Sequence, residues 1–296
     1  MRFLLVGASG FLGSAWCEHL RGQDHQVTRL VRRTPAAADE IGWDPGAGRV
    51  DMAAVESADV VACLSGAPLA HWPWTAGYQQ TFTDSRVRPT RTLAEAVAAS
   101  DRKPALLAQN GIAGYGDQGD VVLTEDSPTD ADTFMAEVTR RWQAATEPAA
   151  GAGARVVVMR TAVVLDRHGG ALRPMLLAFR AGLGGPIGSG RQYFSTISLA
   201  DWVRAATHLA TGSGCTGVYN LAAPEQATNA EFTRELAKRL HRPAPFRVPE
   251  AALRVLARPV ASEVLGSARV EPARLLAEGF HFEHPTLHSR IAAALG

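Results

Sequence analysis

A glycine-rich turn close to the N-terminus constrains the fold of this chain more than any other sequence feature. The apolar segment Phe3-Leu4-Leu5-Val6 leads directly into Gly7-Ala8-Ser9-Gly10-Phe11-Leu12-Gly13, where an amphipathic stretch with helical spacing begins. Glycine lets the backbone turn tightly and approach a pyrophosphate, and the helix that follows offers unpaired N–H groups and a positive dipole end to phosphates. In this strand–turn–helix context the pattern predicts dinucleotide binding, with a plain β–α turn as the alternative.

The remaining apolar segments predict an alternation of strands and helices. Strands are expected at 27–31, 58–64, 105–108, 155–159 and Gly217–Leu221, and helices at 91–99, 132–150, 202–209, Asn229–Leu240, Glu250–Leu256 and 271–278. Continuous apolar runs fit strands that are buried on both faces, so the alternation predicts an α/β fold with a doubly wound parallel sheet of Rossmann type. We expect a Rossmann domain over 1–165 with a returning strand near 195–225, and a smaller substrate-side and C-terminal domain over 166–296.

The net charge and the cysteine and histidine content limit the kinds of binding partner to be expected. The formal net charge of +1 favours neither nucleic acid nor an anionic membrane surface. Cys17, Cys63 and Cys215 lie far apart, and such a sparse, odd set is typical of a reducing compartment. The histidines show no metal-ligand spacing, and no apolar run is long enough to span a bilayer. We therefore expect a cytoplasmic protein with a small-molecule substrate, no bound metal, no nucleic acid and no membrane.

The end of the second predicted strand bears on the choice of cofactor. NAD-binding units place an Asp or Glu about 20 residues after the glycines to hold the ribose hydroxyls. Here the strand ends Arg29-Leu30-Val31-Arg32-Arg33, without an acid. Arg32 and Arg33 could instead form bidentate contacts with a 2′-phosphate, which favours NADP over NAD. The alternative is two solvated surface arginines.

These features resemble the short-chain dehydrogenase/reductase superfamily in its extended, epimerase-like form. More specifically, the chain resembles an atypical subgroup of epimerase/dehydratase-related proteins that carry a C-terminal domain of unknown function. The motifs behind this resemblance are Ser85-Arg86 after a segment with Trp72 and Trp74, the run Gly184-Gly185-Pro186-Ile187-Gly188-Ser189-Gly190-Arg191-Gln192, the run 160–165, and the ending 278–282. A homodimer is common in the superfamily and is possible here.

The resemblance also implies which residues contact the cofactor. It assigns NADP contacts to Gly7, Ser9, Gly10, Phe11, Leu12 and Gly13, and the 2′-phosphate to Arg32. It further implies that Cys63, Leu64 and Gly66 lie near the adenine ribose, that Gln79 and Ser85 contribute, and that Thr161 to Val163 lie near the nicotinamide.

The catalytic pair of most of the superfamily is missing. That pair is Tyr-x-x-x-Lys on one helix, where the lysine lowers the tyrosine pKa and the tyrosine moves a proton at the substrate oxygen. The only lysines here are Lys103 and Lys238, and neither lies four residues after a tyrosine. Phe134 and Val138 occupy the two positions of the pair. Asn110 stands where the superfamily has a serine.

Three residues remain as candidates for substrate chemistry. Tyr115 follows the strand expected to face the nicotinamide and could be a lone acid, with a packing role in a Gly-Tyr-Gly turn as the alternative. Asn110 could polarise a substrate carbonyl. Arg191 lies in a glycine loop where sugar-nucleotide epimerases often hold a substrate diphosphate, with a plain surface arginine as the alternative. Asp201 is expected to cap a helix rather than to take part in catalysis.

Three functions are compatible with these residues. The first is an NADP-dependent, epimerase-like oxidoreductase acting on a small polar substrate that could be nucleotide-linked. The second is a non-catalytic NADP(H)-binding sensor or scaffold. The third is a non-redox enzyme, such as a lyase or cyclase, that retains the fold.

Overall fold

A parallel sheet dominates the computed structural model, which describes residues 1–256 and 260–296. Its strands and those of two small sheets are β1 (Arg2–Val6), β2 (Gln26–Val31), β3 (Glu40–Gly42), β4 (Val60–Cys63), β5 (Ala105–Gly111), β6 (Val122–Leu123), β7 (Val156–Thr161), β8 (Val163–Leu165), β9 (Thr196–Ser198), β10 (Gly217–Leu221) and β11 (Arg269–Val270). Within the described residues, seven of them form one sheet in the order β10-β7-β5-β4-β1-β2-β3. The direction of winding reverses between β1 and β4, and ligands of open α/β sheets bind at such a switch point. The predicted Rossmann-type class is confirmed.

Helices connect these strands. They are α1 (Phe11–Gly22), α2 (Met52–Ser57), α3 (Ala76–Ala99), α4 (Phe134–Ala144), α5 (Glu147–Gly151), α6 (Leu172–Arg180), α7 (Leu199–Thr211), α8 (Asn229–Leu240), α9 (Glu250–Leu256), α10 (Ala261–Leu265), α11 (Ala273–Ala277) and α12 (Leu287–Leu295), with a 3₁₀ helix at Ile112–Tyr115. The strands β6 and β11 pair in parallel, and so do β8 and β9. None of the helices in the described ranges has both the length and the apolar character needed to cross a bilayer.

Two predicted helices differ from those observed. The helix expected at 91–99 already begins at Ala76, where the Thr75 hydroxyl accepts a hydrogen bond from the Tyr78 amide and caps it. Its first turns are polar, so apolar spacing did not indicate them. The helix expected over 132–150 is two helices. The first, α4, ends at Ala144, and α5 begins at Glu147 with Pro148 in its first turn. The strand at Gly217–Leu221 and the helices at Asn229–Leu240 and Glu250–Leu256 are as predicted.

The described residues fall into two compact units, each assembled from three segments. The first comprises Met1–Asn110, Arg140–Met159 and Ala206–Val218. Its core packs apolar side chains of β1, β4 and α3 together. Two buried indoles of this unit are hydrogen-bonded: Trp16 donates to the Thr207 hydroxyl at 3.0 Å, and Trp142 donates to the Thr90 hydroxyl at 2.9 Å.

The second unit comprises Gly111–Thr139, Arg160–Ala205 and Tyr219–Gly296. One of its apolar clusters joins α6, α8 and α12, and another surrounds Tyr115. The buried guanidinium of Arg290 donates to the Thr196 hydroxyl and to the carbonyl oxygens of Pro285 and Glu225. The first half of α12 is therefore held in this unit by hydrogen bonds of a buried arginine as well as by apolar contacts.

Asp201 fixes the C-terminal segment of the second unit. Its carboxylate is fully buried in the first turn of α7 and accepts the amides of Glu283 and His284 at 2.8 and 2.9 Å. It also accepts the Ser198 hydroxyl at 3.0 Å and the Arg204 guanidinium at 3.2 Å. The sequence predicts Asp201 as the cap of this helix, but α7 begins at Leu199 and the Ser198 hydroxyl accepts the Asp201 amide at 3.1 Å. Asp201 instead anchors a segment more than 80 residues away along the chain.

Replacing Asp201→Ala is expected to destabilise the fold by about 3–5 kcal/mol. The change leaves the partly buried amides of Glu283 and His284 without their acceptor and removes one partner of the Arg204 guanidinium, which costs more than losing an exposed carboxylate. Urea denaturation measures the free energy of unfolding. Asp130→Ala is the matched control, since Asp130 is exposed and makes no hydrogen bond in the described part of the chain. Equal stability of the two variants would contradict the anchoring role.

Candidate functional site

Close backbone contacts require the glycines of the N-terminal turn. Gly7 has a φ of +80°, and a Cβ atom there would lie 2.6 Å from the Leu64 carbonyl oxygen. A Cβ at Gly13 would lie 2.2 Å from the Gly7 carbonyl oxygen. The first contact brings the turn against the end of β4, and the second lets α1 start directly beside β1.

The start of α1 is arranged to receive an anion. Its N-cap is Gly10, which has no side chain to occupy the first amides, and the first turn contains no acidic residue. The first four amides of a helix have no intrahelical acceptor, and the helix dipole places positive charge there. Ser9 and Gly10 are exposed, whereas Phe11 and Leu12 are half-buried. A phosphate could therefore reach these amides without displacing another group.

The two candidate arginines after β2 have different environments. Arg33 donates to both carboxylate oxygens of Glu40, at 2.8 and 2.6 Å. Arg32 is exposed and makes no hydrogen bond or ion pair with any described residue. Arg32 is thus the one of the pair whose guanidinium is available to a ligand.

The other arginines near β2 form ion pairs with acidic residues. Asp39 accepts from Arg29 at two positions and also pairs with Arg21, and the hydrogen bond from Arg29 holds its pKa below the usual range. The Glu40 side chain is only 2% exposed, and its bond with Arg33 lowers its pKa in the same way. These ion pairs leave Arg32 as the uncompensated charge at the end of the strand.

Cys63, at the end of β4, and Gly66, in the segment that follows, can contact a ligand only through their backbone atoms. The Cys63 thiol is buried and lies 3.4 Å from the Thr90 hydroxyl, and burial raises its pKa. The Leu64 amide donates to the Val6 carbonyl oxygen at 2.9 Å. At Gly66 a Cβ would lie 3.1 Å from the Arg86 guanidinium, so the missing side chain makes room for that cation.

Arg86 is a site residue to which the sequence reasoning assigned no role. Its guanidinium lies 3.5 Å from the Phe82 ring centre and donates to the carbonyl oxygens of Phe82 and Ala67, both at 3.0 Å. No carboxylate pairs with it among the described residues, and burial lowers its pKa to about 10. A half-buried cation with only neutral partners is a favourable place for an anionic ligand. Its position directly after Ser85, in a motif that supported the resemblance, was the available signal.

The other predicted residues of α3 differ in availability. The Ser85 hydroxyl accepts the Ala67 amide at 2.8 Å and donates to the Phe82 carbonyl oxygen at 2.9 Å, so it holds the loop that follows β4. The Gln79 side-chain amide is half-buried and has no partner among the residues described. Ser85 thus has a structural contact already, whereas Gln79 could turn to a ligand.

Strand register brings most of these groups of the first unit together. Val6 pairs with Leu30 on one side and with Cys63 on the other. The glycine turn, Arg32 and the segment 64–66 therefore all begin at one edge of the sheet. Asn110, 2% exposed near the end of β5, belongs to the same unit.

The geometry of Tyr115 favours the packing alternative. The side chain is fully buried, and its hydroxyl donates to Asn220 Oδ1 and accepts from Arg160 Nη1, both at 2.8 Å. Burial raises its pKa. Glu125 extends this network by accepting the Asn220 amide at 3.0 Å. The hydroxyl thus already has a donor and an acceptor within the second unit.

Thr161 and Val163 lie at the β7–β8 junction of the same unit. The Thr161 hydroxyl accepts the Trp202 indole N–H at 3.0 Å, and the Val163 amide donates to the Ser195 carbonyl oxygen at 3.1 Å. Val138, at the position of the superfamily lysine, is 2% exposed in α4. The valine side chain has no N–H or O–H group, so it cannot donate a proton as the lysine would.

Arg191 follows the glycine-rich run of the second unit and is exposed. Its amide donates to the Ser189 hydroxyl at 3.2 Å, which folds the loop back on itself. Its guanidinium pairs with no residue in the described ranges. Like Arg32 in the first unit, it is an available cation.

Comparisons with known proteins agree over nearly the whole chain. Residues 3–222 match the NAD dependent epimerase/dehydratase family, and residues 248–294 match a domain of unknown function, DUF1731. The chain is 39% identical over 291 residues to the Mycobacterium bovis epimerase family protein Mb2239, covering 98% of this chain and 96% of that protein.

Two solved structures are also similar. The human epimerase family protein SDR39U1, crystallised with NADPH, superposes with a TM-score of 0.90 at 34% identity, over 100% of both chains. A nucleoside-diphosphate sugar epimerase from Corynebacterium glutamicum superposes with a TM-score of 0.82 at 31% identity, over 100% of this chain and 58% of that one.

Replacing Gly13→Ala is expected to destabilise the protein by about 3 kcal/mol or more. A methyl group 2.2 Å from the Gly7 carbonyl oxygen forces α1 away from β1. Gly22→Ala in the same helix is the control, because its Cβ would meet nothing within 4 Å and alanine favours a helix by about 0.5–1 kcal/mol. Thermal and urea unfolding measure both variants, and similar stabilities would show that α1 does not require this contact.

Proposed function

The chain belongs to the NAD dependent epimerase/dehydratase family, and we propose that it is an NADP(H)-dependent, epimerase-like oxidoreductase acting on a nucleotide-linked substrate. The availability of Arg32 carries the cofactor assignment. It is the cation at the end of β2 that no acidic residue in the described ranges neutralises, and a 2′-phosphate is the group that distinguishes NADP from NAD. Arg33 contributes through its bond with Glu40, which shapes the turn after the strand.

The residues present fit a dinucleotide. The turn at Gly7 and Gly13 is a cradle that side chains would fill, and the exposed start of α1 suits a pyrophosphate. Arg86 supplies a second cation beside the loop after β4. The NADPH in the human SDR39U1 structure supports the same cofactor.

The substrate class follows from Arg191 and from one relative. An exposed guanidinium at the end of a glycine loop suits a diphosphate, because it can form two parallel hydrogen bonds with the oxygens. The similar protein from Corynebacterium glutamicum is named a nucleoside-diphosphate sugar epimerase, which supports this class. Arg191 then binds the diphosphate of the substrate.

The chemistry differs from that of the superfamily because the usual acid is absent. Bound NADPH supplies a hydride. Asn110, at the end of β5, polarises the substrate carbonyl, and Thr161 is oriented by its bond from Trp202. The Tyr115 hydroxyl already has a donor and an acceptor, which supports a packing role for that residue instead.

Replacing Arg32→Ala is expected to weaken NADPH binding about 10- to 100-fold and to leave NADH binding nearly unchanged. The loss corresponds to one or two charge-assisted hydrogen bonds to the 2′-phosphate. Calorimetric titration with NADPH, NADP, NADH and NAD measures the selectivity. Arg91→Ala is the matched control, since Arg91 is an exposed arginine already paired with Glu95. Equal effects of Arg32→Ala on both cofactor forms would contradict the assignment.

A non-catalytic NADP(H)-binding protein is the second candidate function. Its support is the Tyr115 hydroxyl, which is buried with both a donor and an acceptor, together with Val138 in place of the lysine.

The two functions predict different fates for bound NADPH. The enzyme is expected to lose absorbance at the nicotinamide band when it is loaded with NADPH and offered keto derivatives of nucleotide sugars. Loaded with NADP and offered the nucleotide sugars themselves, it is expected to gain that absorbance or to form an epimer visible by NMR. Asn110→Ala is expected to slow that reaction about 100-fold or more while binding NADPH normally. Retention of unreacted NADPH with every substrate would favour the binding protein.

A further inference from the structure

We propose that residues 246–250, where the domain of unknown function begins, are a positioning strap for the glycine loop 184–190. The strap holds this loop in the conformation that presents Arg191. The substrate bound by Arg191 rests on the proposed function, whereas the mechanical link between strap and loop does not. The inference gives the C-terminal domain a role in building the substrate side of the protein.

Backbone hydrogen bonds join the strap to the loop in both directions. The Val248 amide donates to the Pro186 carbonyl oxygen at 3.0 Å, and the Gly188 amide donates to the Val248 carbonyl oxygen at 2.9 Å. Ile187 and Val248 form a parallel bridge. The first residue of the matched domain is therefore paired with the middle of the glycine loop.

Gly185 shows how close the two segments are. A Cβ atom at this position would lie 1.2 Å from the Phe246 carbonyl oxygen and 2.3 Å from its carbonyl carbon. Both are backbone atoms, so a change of rotamer cannot relieve the overlap. The strap must leave the loop if any other residue stands at 185.

Prolines favour an extended conformation of the strap even before it docks on the loop. Pro243 and Pro245 precede it, and Pro249 lies within it. Proline fixes its own backbone angle and disfavours helix in the residue before it, so such a segment loses little conformational entropy when it docks. The exposed Phe246 side chain contributes little to the contact, which depends on backbone groups.

The start of α8 holds the opposite side of the loop. The Ile187 amide donates to Asn229 Oδ1 at 2.7 Å, and the Ala230 amide donates to the Gly190 carbonyl oxygen at 2.8 Å. Asn229 is 1% exposed. The loop is thus fixed between α8 and the strap. Arg191 follows the loop directly, so loss of one support changes how its guanidinium is presented.

Gly185→Ala tests the strap through trypsin cleavage at two bonds. Arg247–Val248 lies in the strap, and Arg191–Gln192 lies at the end of the loop. Release of the strap is expected to speed cleavage at both bonds about tenfold or more, because protected backbone becomes locally unfolded. Mass spectrometry of the full-length protein, loaded with NADPH, identifies the bonds. Gly151→Ala is the control, since its Cβ would meet nothing within 4 Å.

Val248→Pro is a second, independent variant. It removes the amide that donates to Pro186 without adding volume inside the loop. Trypsin does not cleave an Arg–Pro bond, so only Arg191–Gln192 is read in this variant. Faster cleavage there, with NADPH affinity within about twofold of wild type, supports the strap. In Gly185→Ala, faster cleavage at Arg247–Val248 alone would overturn the inference, because the strap would then not position the loop. Unchanged cleavage at both bonds of Gly185→Ala and at Arg191–Gln192 of Val248→Pro would also overturn it.

Titration of the NADPH-loaded protein with UDP separates this inference from the proposed function. Weaker UDP binding in both variants, with cleavage increased, supports the strap and the substrate class together. If wild type binds no UDP while cleavage at both bonds of Gly185→Ala still increases, the substrate class fails and the strap is supported. Unchanged UDP binding after the strap is released would overturn its positioning role.

Discussion

The contact between the Gly13 and Gly7 backbones is the constraint on which the cofactor side of the structure depends. A helix can begin immediately after β1 only if no side chain separates it from the strand, and that start directs the amides of α1 toward the sheet edge. The same turn lies against Leu64, so the ends of β1 and β4 meet there. Parallel register then places the end of β2, with Arg32, on the other side.

Charge pairing selects among many arginines. Near β2, Asp39 and Glu40 neutralise Arg21, Arg29 and Arg33 through short ion pairs. Near the ends of β2 and β4, two arginines are left without an acidic partner among the described residues: Arg32 after β2, and the half-buried Arg86 beside the loop that follows β4. The specificity of anion binding therefore depends on the carboxylates that pair with the neighbouring arginines as much as on the arginine that remains unpaired.

Sequence alone predicted the features that depend on local pattern. The glycine turn, the α/β alternation and the bounds of β10, α8 and α9 all follow from short-range spacing. The network of Tyr115 did not, because its hydroxyl bonds to residues 45 and 105 positions away. The pairing of Arg33 was equally hidden, since Glu40 lies in a three-residue strand too short to show a pattern. Arg86 can pack against position 66 because that residue is a glycine, and this contact between distant positions is visible only in the folded structure.

Two of the tryptophans bonded to threonine hydroxyls, Trp16 and Trp202, give each unit its own fluorescent label. Trp16 reports on the first unit through Thr207, and Trp202 on the second through Thr161. Both indoles are fully buried, so exposure to water on unfolding shifts their emission to longer wavelength. Variants that retain only one of these fluorophores would show whether the two units melt in a single cooperative step or one after the other.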